Sequence, residues 1–347
     1  MIFWKNILSL FLRKGKINNT YSLKEKTYIG IDNTEVPLRI YHSNKYTHKT
    51  AILFLGASPD GEKHKSLNYL AKILTHFGYN VYIPRIPPLM ELNISNVNVK
   101  WMEHIYDVIK NRSDVNSKFI TAIGISYGGG MLLKASLSPT FQETPPKSFF
   151  LYGSGCNVDT VLRFLTRGEF LNDSTIIKMK PHDWGLTVFF HHFIDEIDFG
   201  FDKINIKKVL HLRIQNKKEE ANKKLRQLDG QEFDIANSII SGNINKEVLD
   251  LVDKTIDKKK NYINELSCKH ICHKIKSKTF IFHGANDNMV PFSESIQMSQ
   301  LIQDSELLIS YLFEHKGISS KSNALFKLKE FIRLLKFFKK FDNFHAN

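Results

Sequence analysis

The sequence predicts an α/β protein: a doubly wound, mostly parallel sheet with helices on both faces and a largely helical cap inserted after the sixth strand. Three observations predict it. Short apolar runs alternate with amphipathic stretches. The alternation breaks once, between about residues 155 and 275, and then resumes as though uninterrupted. The composition is that of an ordinary globular chain, with 42% hydrophobic and 24% charged residues in 347. That length is long for one plain domain and suits one domain carrying a substantial insertion.

Residues 1–24 are read as a separate amphipathic segment. Its stretch Met1–Lys14 is apolar but too short and interrupted to span a bilayer. It is a poor signal peptide, because its basic residues follow the apolar stretch and no small-x-small pattern precedes Gly15. On a helix, Lys5, Ser9, Arg13 and Lys16 share a face, while Ile7, Leu8, Phe11 and Leu12 with Phe3 and Trp4 cover the rest. Such a segment either lies in a membrane interface or docks on the protein's own body.

From there the pattern turns to strands. Thr27–Ile31 and Val36–Tyr41 read as an antiparallel pair joined by Asp32-Asn33-Thr34. Buried parallel strands are expected at Ala51–Leu55, Val81–Ile83, Phe119–Ile125, Phe149–Tyr152, Thr279–His283 and Ile309–Phe313. Amphipathic helices are expected at Leu67–Phe77, Val97–Lys110 and Ala324–Phe338. Between about 155 and 275 no apolar strand run stands out, and charged helical stretches such as Asn216–Leu228 dominate. The expected organisation is a core over 25–154 and 276–347, interrupted by a cap over 155–275.

The most informative stretch is Phe119–Lys134, where an apolar strand runs into Gly124-Ile125-Ser126-Tyr127-Gly128 and then into a helical pattern. A sharp strand-to-helix turn needs small residues two before and two after its centre, which Gly124 and Gly128 supply. Such a turn lifts the Ser126 hydroxyl above the sheet edge and sets the Tyr127 N–H where it can donate to an oxyanion. Serine needs a base and a group to orient that base. Asp287 follows the apolar run Phe280–Phe282 on a loop ending in Val290-Pro291, and His315 follows the run ending at Phe313. The order Ser, Asp, His, each after a separate strand, marks Ser126 as nucleophile, Asp287 as orienting acid and His315 as general base.

With these residues the chain resembles the α/β-hydrolase superfamily, serine esterases and lipases with a helical cap, over roughly 25–153 and 276–340. The resemblance implies the triad Ser126, Asp287 and His315. It also implies an oxyanion hole completed by the loop after the third strand, which here reads Phe54-Leu55-Gly56-Ala57-Ser58-Pro59-Asp60-Gly61. The Ala57 N–H is the second donor on this reading, with Ser58 as the alternative. The family's frequent His-Gly is replaced by Leu55-Gly56, and the repeated glycines of many esterases are absent.

Other polar residues are given structural roles. Glu314 precedes His315, but neighbouring side chains on an extended strand end point apart, so Asp287 is preferred as its partner. His283 is read as structural, and His182-Asp183 and His191-His192 as cap surface or pocket lining. The local cluster Cys268-Lys269-His270-Ile271-Cys272-His273 does not converge easily on one ion, so neither metal nor cofactor is expected.

The net charge of +14 favours anionic surfaces or simply solubility. Lys and Arg are spread through 203–278 and 321–340 with no nucleic-acid-binding motif, and no nucleic-acid partner is expected. Three cysteines are too few for a disulfide framework and point to a reducing, cytoplasmic setting, peripheral to the inner face of a membrane if residues 1–16 bind it. With 26 phenylalanines, the expected substrate is a small-molecule or lipid-like acyl ester. Acyl transfer to an acceptor other than water, or a non-catalytic membrane-peripheral scaffold on the same fold, are the alternatives.

Overall fold

The computed structural model describes residues 21–45, 47–314, 317–318 and 324–346. The amphipathic segment expected over 1–24 lies outside the described residues up to residue 20. Its last four residues instead begin the first strand.

Eight strands form the main sheet: β1 (Tyr21–Ile29), β2 (Glu35–Ser43), β3 (Thr50–Phe54), β4 (Asn80–Pro84), β5 (Ile120–Ile125), β6 (Ser148–Tyr152), β9 (Lys278–Gly284) and β10 (Ser305–Ser310). Their order is β1-β2-β4-β3-β5-β6-β9-β10, antiparallel from β1 through β4 and parallel thereafter. Near the C-terminal edge the register lines up Phe54, Gly124, Leu151, Ile281 and Leu307 across five strands. Ser126 and Asp287 stand just beyond that row.

The period-2 alternation of the central strands divides the core into two faces. Ile52, Phe54, Ile120, Ala122, Phe149, Leu151 and Ile281 pack under α2 (Val97–Lys110) and α3 (Tyr127–Ala135). Ala51, Leu53, Ile123, Phe150, Phe280 and Phe282 point the other way, onto α1 (Lys65–His76) and the last helix, α12 (Ala324–Ala346). The doubly wound sheet is thus covered on both sides.

Between β6 and β9 lie α4 (Val158–Arg167), the hairpin β7 (Glu169–Asn172) and β8 (Thr175–Lys178), and then α5 (Asp183–Phe193), α6 (Ile204–Ile214), α7 (Lys218–Leu225), α8 (Gly230–Ser241), α9 (Lys246–Lys258) and α10 (Lys260–Leu266). These elements have a hydrophobic core of their own, built from residues such as Phe164, Phe190, Ile206, Ile239 and Val252. No helix among the described residues is long and apolar enough to cross a membrane.

Four elements differ from the expected bounds by more than two residues at one end or both. Strand β1 starts six residues before Thr27, because Tyr21–Lys26 form an exposed edge and carry no apolar run. Strand β10 covers Ser305–Ser310, not Ile309–Phe313: being only half-buried, it needs few apolar residues, and its expected tail turns away. The helix expected over Asn216–Leu228 is shorter, Lys218–Leu225, while the last helix runs on to Ala346. The hairpin β7–β8 was not foreseen: its strands are four residues each, and Phe170 is buried while Leu171 and Ile176 face solvent, so no apolar run marks it.

The last helix is pinned from below by a buried imidazole. His345 Nδ1 lies 2.8 Å from the Phe341 carbonyl, which can only accept, so Nδ1 carries the proton. Nε2 then accepts from the hydroxyls of Thr121 at 2.6 Å and Ser148 at 2.9 Å. Burial, against the opposing pull of the Phe341 carbonyl, lowers the His345 pKa from 6.5 to about 4. The unfolded chain therefore binds the extra proton first. Stabilisation is complete above pH 6.5 and is lost as pH falls toward 4, by up to about 1.4 kcal/mol per pH unit. Denaturation curves across that window should show His345→Gln with a shallower acid loss than the unmodified protein; an unchanged slope would remove His345 from this role.

Candidate active site

Strand β5 delivers Ser126 to the sheet edge, and α3 starts at the next residue. Ser126 has φ 54° and ψ −132°, a conformation that side-chain-bearing residues avoid and that costs about 1–3 kcal/mol. Its N–H donates to the Tyr152 carbonyl at 2.8 Å, and its own carbonyl accepts from Gly129 N–H at 3.0 Å, which locks the turn from both sides. The flanking glycines are required by space. A Cβ on Gly124 would sit 2.5 Å from the Gly129 Cα, and one on Gly128 would sit 2.6 Å from the Leu55 carbonyl oxygen.

The loop after β3 comes up against this turn. A Cβ on Gly56 would lie 3.2 Å from the Tyr127 nitrogen and 3.3 Å from the Ser126 Cβ, so Ala57 follows directly beside the serine. Among the described residues, neither the Ala57 N–H nor the Tyr127 N–H has an acceptor. The Ser58 N–H, in contrast, donates to the Leu89 carbonyl at 3.0 Å, which favours Ala57 over Ser58 as the available donor. The loop's far end is held by Glu62, 1% exposed, whose carboxylate takes two hydrogen bonds from Arg85 at 2.8 and 2.7 Å. Burial works to raise the Glu62 pKa, but the Arg85 contacts outweigh it and the carboxyl stays below its usual range. The sequence offered no signal for this clamp, because its partners come from separate strands' ends.

Asp287 sits on the loop after β9 and is 2% exposed. One carboxylate oxygen accepts the N–H groups of Met289 at 2.8 Å and Val290 at 3.0 Å, which fixes the loop as an Asx turn. Its charge reaches Tyr152, whose phenol is pushed up to about 12 by burial and, secondarily, by Asp287. Beneath the loop His283 is fully buried. Its Nε2 donates to the Val290 carbonyl at 2.9 Å and lies 3.6 Å from Asp287 Oδ2, while Nδ1 accepts from the Ser295 hydroxyl at 2.6 Å. These contacts fit the supporting role read for it from the sequence.

His315 lies outside the described residues. The flanking pieces β11 (Phe313–Glu314) and β12 (Gly317–Ile318) pair antiparallel, Glu314 opposite Gly317, and β11 runs beside β9, the strand that carries the Asp287 loop. The sheet strand β10 ends at Ser310, so His315 follows it by five residues instead of directly.

Successive backbone bonds bind the sheet's C-terminal edge together: Ser126 N–H to Tyr152, Gly153 N–H to Phe282 at 3.0 Å, and Ala285 N–H to Ser310 at 2.8 Å. This edge places the serine turn, the acid loop and the β10 exit side by side. No family model matches the sequence, and no curated protein matches it. Solved structures do match by shape. An acylaminoacyl peptidase from Pyrococcus horikoshii superposes with a TM-score of 0.53 at 14% identity, covering 95% of this chain and 43% of that one. An acylaminoacyl peptidase in complex with a chloromethyl ketone gives the same 0.53 at 14% identity and the same coverage. The chain spans less than half the length of these peptidases.

The fold is that of the α/β-hydrolases.

In this α/β-hydrolase fold the segment between β6 and β9 lies across the same edge. His182 N–H donates to the Asn288 carbonyl at 2.8 Å, one residue past Asp287. Tyr262 donates to the Ile94 carbonyl at 2.7 Å, and His192 stacks on the Tyr262 ring. His192 is a junction residue, kept neutral by burial, which lowers its pKa to about 4. A cavity of about 320 Å³ opens between Lys180–Asp183, Ser241 and Asn288, beside the acid loop. Another, of about 310 Å³, lies at the opposite sheet edge among Phe141, Phe149 and Ile275, away from Ser126.

The strain at Ser126 can be read directly. Ser126→Gly should raise stability by about 1 kcal/mol, a few degrees in melting temperature, because glycine adopts this φ without a clash. Ser126→Ala should leave stability nearly unchanged, and Gly128→Ala should lower it by several kcal/mol through backbone overlap. Thermal melts of the three variants check this; a Ser126→Gly protein no more stable than Ser126→Ala would show that the turn stores no strain.

Proposed function

We propose that the protein is a serine hydrolase that cleaves a carboxylic ester or related acyl bond through an acyl-enzyme. The observation that carries this reading is the strained Ser126 turn facing two N–H groups, Tyr127 and Ala57, that have no acceptor among the described residues. Half-buried donors without a protein acceptor are open to a ligand oxygen, and two of them beside a raised serine suit a tetrahedral oxyanion. On this reading His315 takes the Ser126 proton as Oγ attacks the carbonyl carbon. Asp287, fixed by Met289 and Val290, orients the imidazole and stabilises its charged form. The proton then passes to the leaving alcohol, and water releases the acyl group by the same route.

The segment over 155–275 acts as a cap on this reading. Its apolar cluster reaches Ala285 and Phe292 on either side of the acid loop, which supports a substrate with an apolar acyl part. Peripheral membrane contact through residues 1–16 would bring such a lipid-like ester to the site.

Reaction with a fluorophosphonate probe tests the reading. The folded protein should label at Ser126, and Ser126→Ala should not label at all. Asp287→Asn should lower ester turnover about 10⁴-fold, and His315→Ala by a similar factor. A folded protein that takes no label, with or without lipid vesicles, overturns the hydrolase reading in favour of a binding role.

A further inference from the structure

The chain has three cysteines, and all three meet. Cys156 follows β6, where the inserted segment begins; Cys268 and Cys272 follow α10, where it ends. Their sulfurs all lie within 4.8 Å of one another, and the three residues are 0%, 1% and 0% exposed. The Cys268 and Cys272 sulfurs are 3.9 Å apart. Two thiolates bound about 2.3 Å from one zinc ion lie about 3.8 Å apart, so this spacing is that of two ligands on one ion.

The frame around the sulfurs is fixed. The Cys156 carbonyl accepts the N–H groups of both Cys268 at 3.1 Å and Lys269 at 3.0 Å. Glu294, 4% exposed, accepts the N–H groups of Cys156 at 2.9 Å and Asn157 at 2.7 Å on one oxygen, and the Thr160 hydroxyl on the other. Gly130 of α3 lets this frame approach the nucleophile helix: a Cβ there would lie 3.2 Å from the Gly155 carbonyl and 3.6 Å from the Cys268 sulfur. Lys134 and Lys269 are the cations whose fields reach the sulfurs.

We propose that Cys156, Cys268 and Cys272 form a binding site for one thiophilic d10 cation, which staples the entry and exit of the inserted segment together. Soft thiolates select such ions: copper(I) is satisfied by three sulfurs, and zinc takes a fourth ligand, for which the Gly155 carbonyl, 3.6 Å from the Cys268 sulfur, is a candidate. Binding displaces the thiol protons, so occupancy rises with pH. The local spacing of Cys268–His273 does not reveal this site, because Cys156 lies 112 residues before Cys268. The site stands whether or not Ser126 is a nucleophile.

The test uses the full chain, expressed in medium supplemented with zinc or with copper and purified under reducing conditions. One equivalent of metal per chain is expected, with a thiolate-to-metal charge-transfer absorption and a higher melting temperature than the chelator-stripped protein. Cobalt(II) uptake with tetrahedral ligand-field bands assigns the site to zinc chemistry, and retention of copper alone assigns it to copper(I). Cys156→Ser and Cys272→Ser, each checked for folding by circular dichroism, should lose the absorption and at least nine-tenths of the metal. An unmodified protein that carries neither metal, shows no charge-transfer band and has three thiols that react only on unfolding overturns the proposal and makes the cluster three protonated core thiols.

Discussion

The structure depends on one close backbone approach. At the end of β5 the chain must reverse from strand to helix within one residue, and it does so with Ser126 at a positive φ. That conformation is unfavourable alone, so the surroundings must over-determine it. They do this through Gly124 against Gly129, Gly128 against the Leu55 carbonyl, and the Ser126 N–H held by Tyr152. Side chains larger than hydrogen at these glycines would push the β3 loop away from α3. The Ala57 and Tyr127 N–H groups would then no longer sit beside the serine.

The sheet carries that local constraint to the rest of the edge. Because β3, β5, β6 and β9 are parallel and in register, their C-terminal ends form one line, and whatever follows each strand is placed on the same side. The helices α2 and α3 on one face, α1 and α12 on the other, make this line rigid by burying both sets of alternating side chains. Precise placement of loop residues such as Asp287 thus derives from mainly apolar strands, whose buried Thr121, Ser148 and His283 side chains are all hydrogen-bonded.

This explains what the sequence made legible. Buried parallel strands are continuous apolar runs, so β3 to β6 and β9 were readable to within a residue or two, as were Gly124, Ser126 and Gly128, whose types are dictated by local space. Edge elements were not: β1 is nearly all exposed and β10 half-buried, so neither is marked by a strong apolar run, and the short hairpin β7–β8 buries only Phe170. Nor were contacts between distant segments. The Glu62–Arg85 clamp, the Glu294 anchor and the meeting of Cys156 with Cys268 and Cys272 join residues 23 to 138 positions apart, and only the fold brings them together.

The first turn of α11 (Ser293–Leu301) shows how the inserted segment and the acid loop are coupled. Phe292, just before it, packs edge-on against Phe170 of β7, in the inserted segment's own core. Glu294 holds the backbone at Cys156 and Asn157, where that segment begins. Ser295 donates to His283, whose other nitrogen supports the Val290 carbonyl in the loop carrying Asp287. Three side chains, Phe292, Glu294 and Ser295, thus tie this one turn to the inserted segment and to the loop carrying Asp287. A movement of the inserted segment large enough to break the Phe170–Phe292 contact would bear on the helix that steadies His283, and through it on the carboxylate. The position of the inserted segment and the alignment of Asp287 are therefore not independent in this chain.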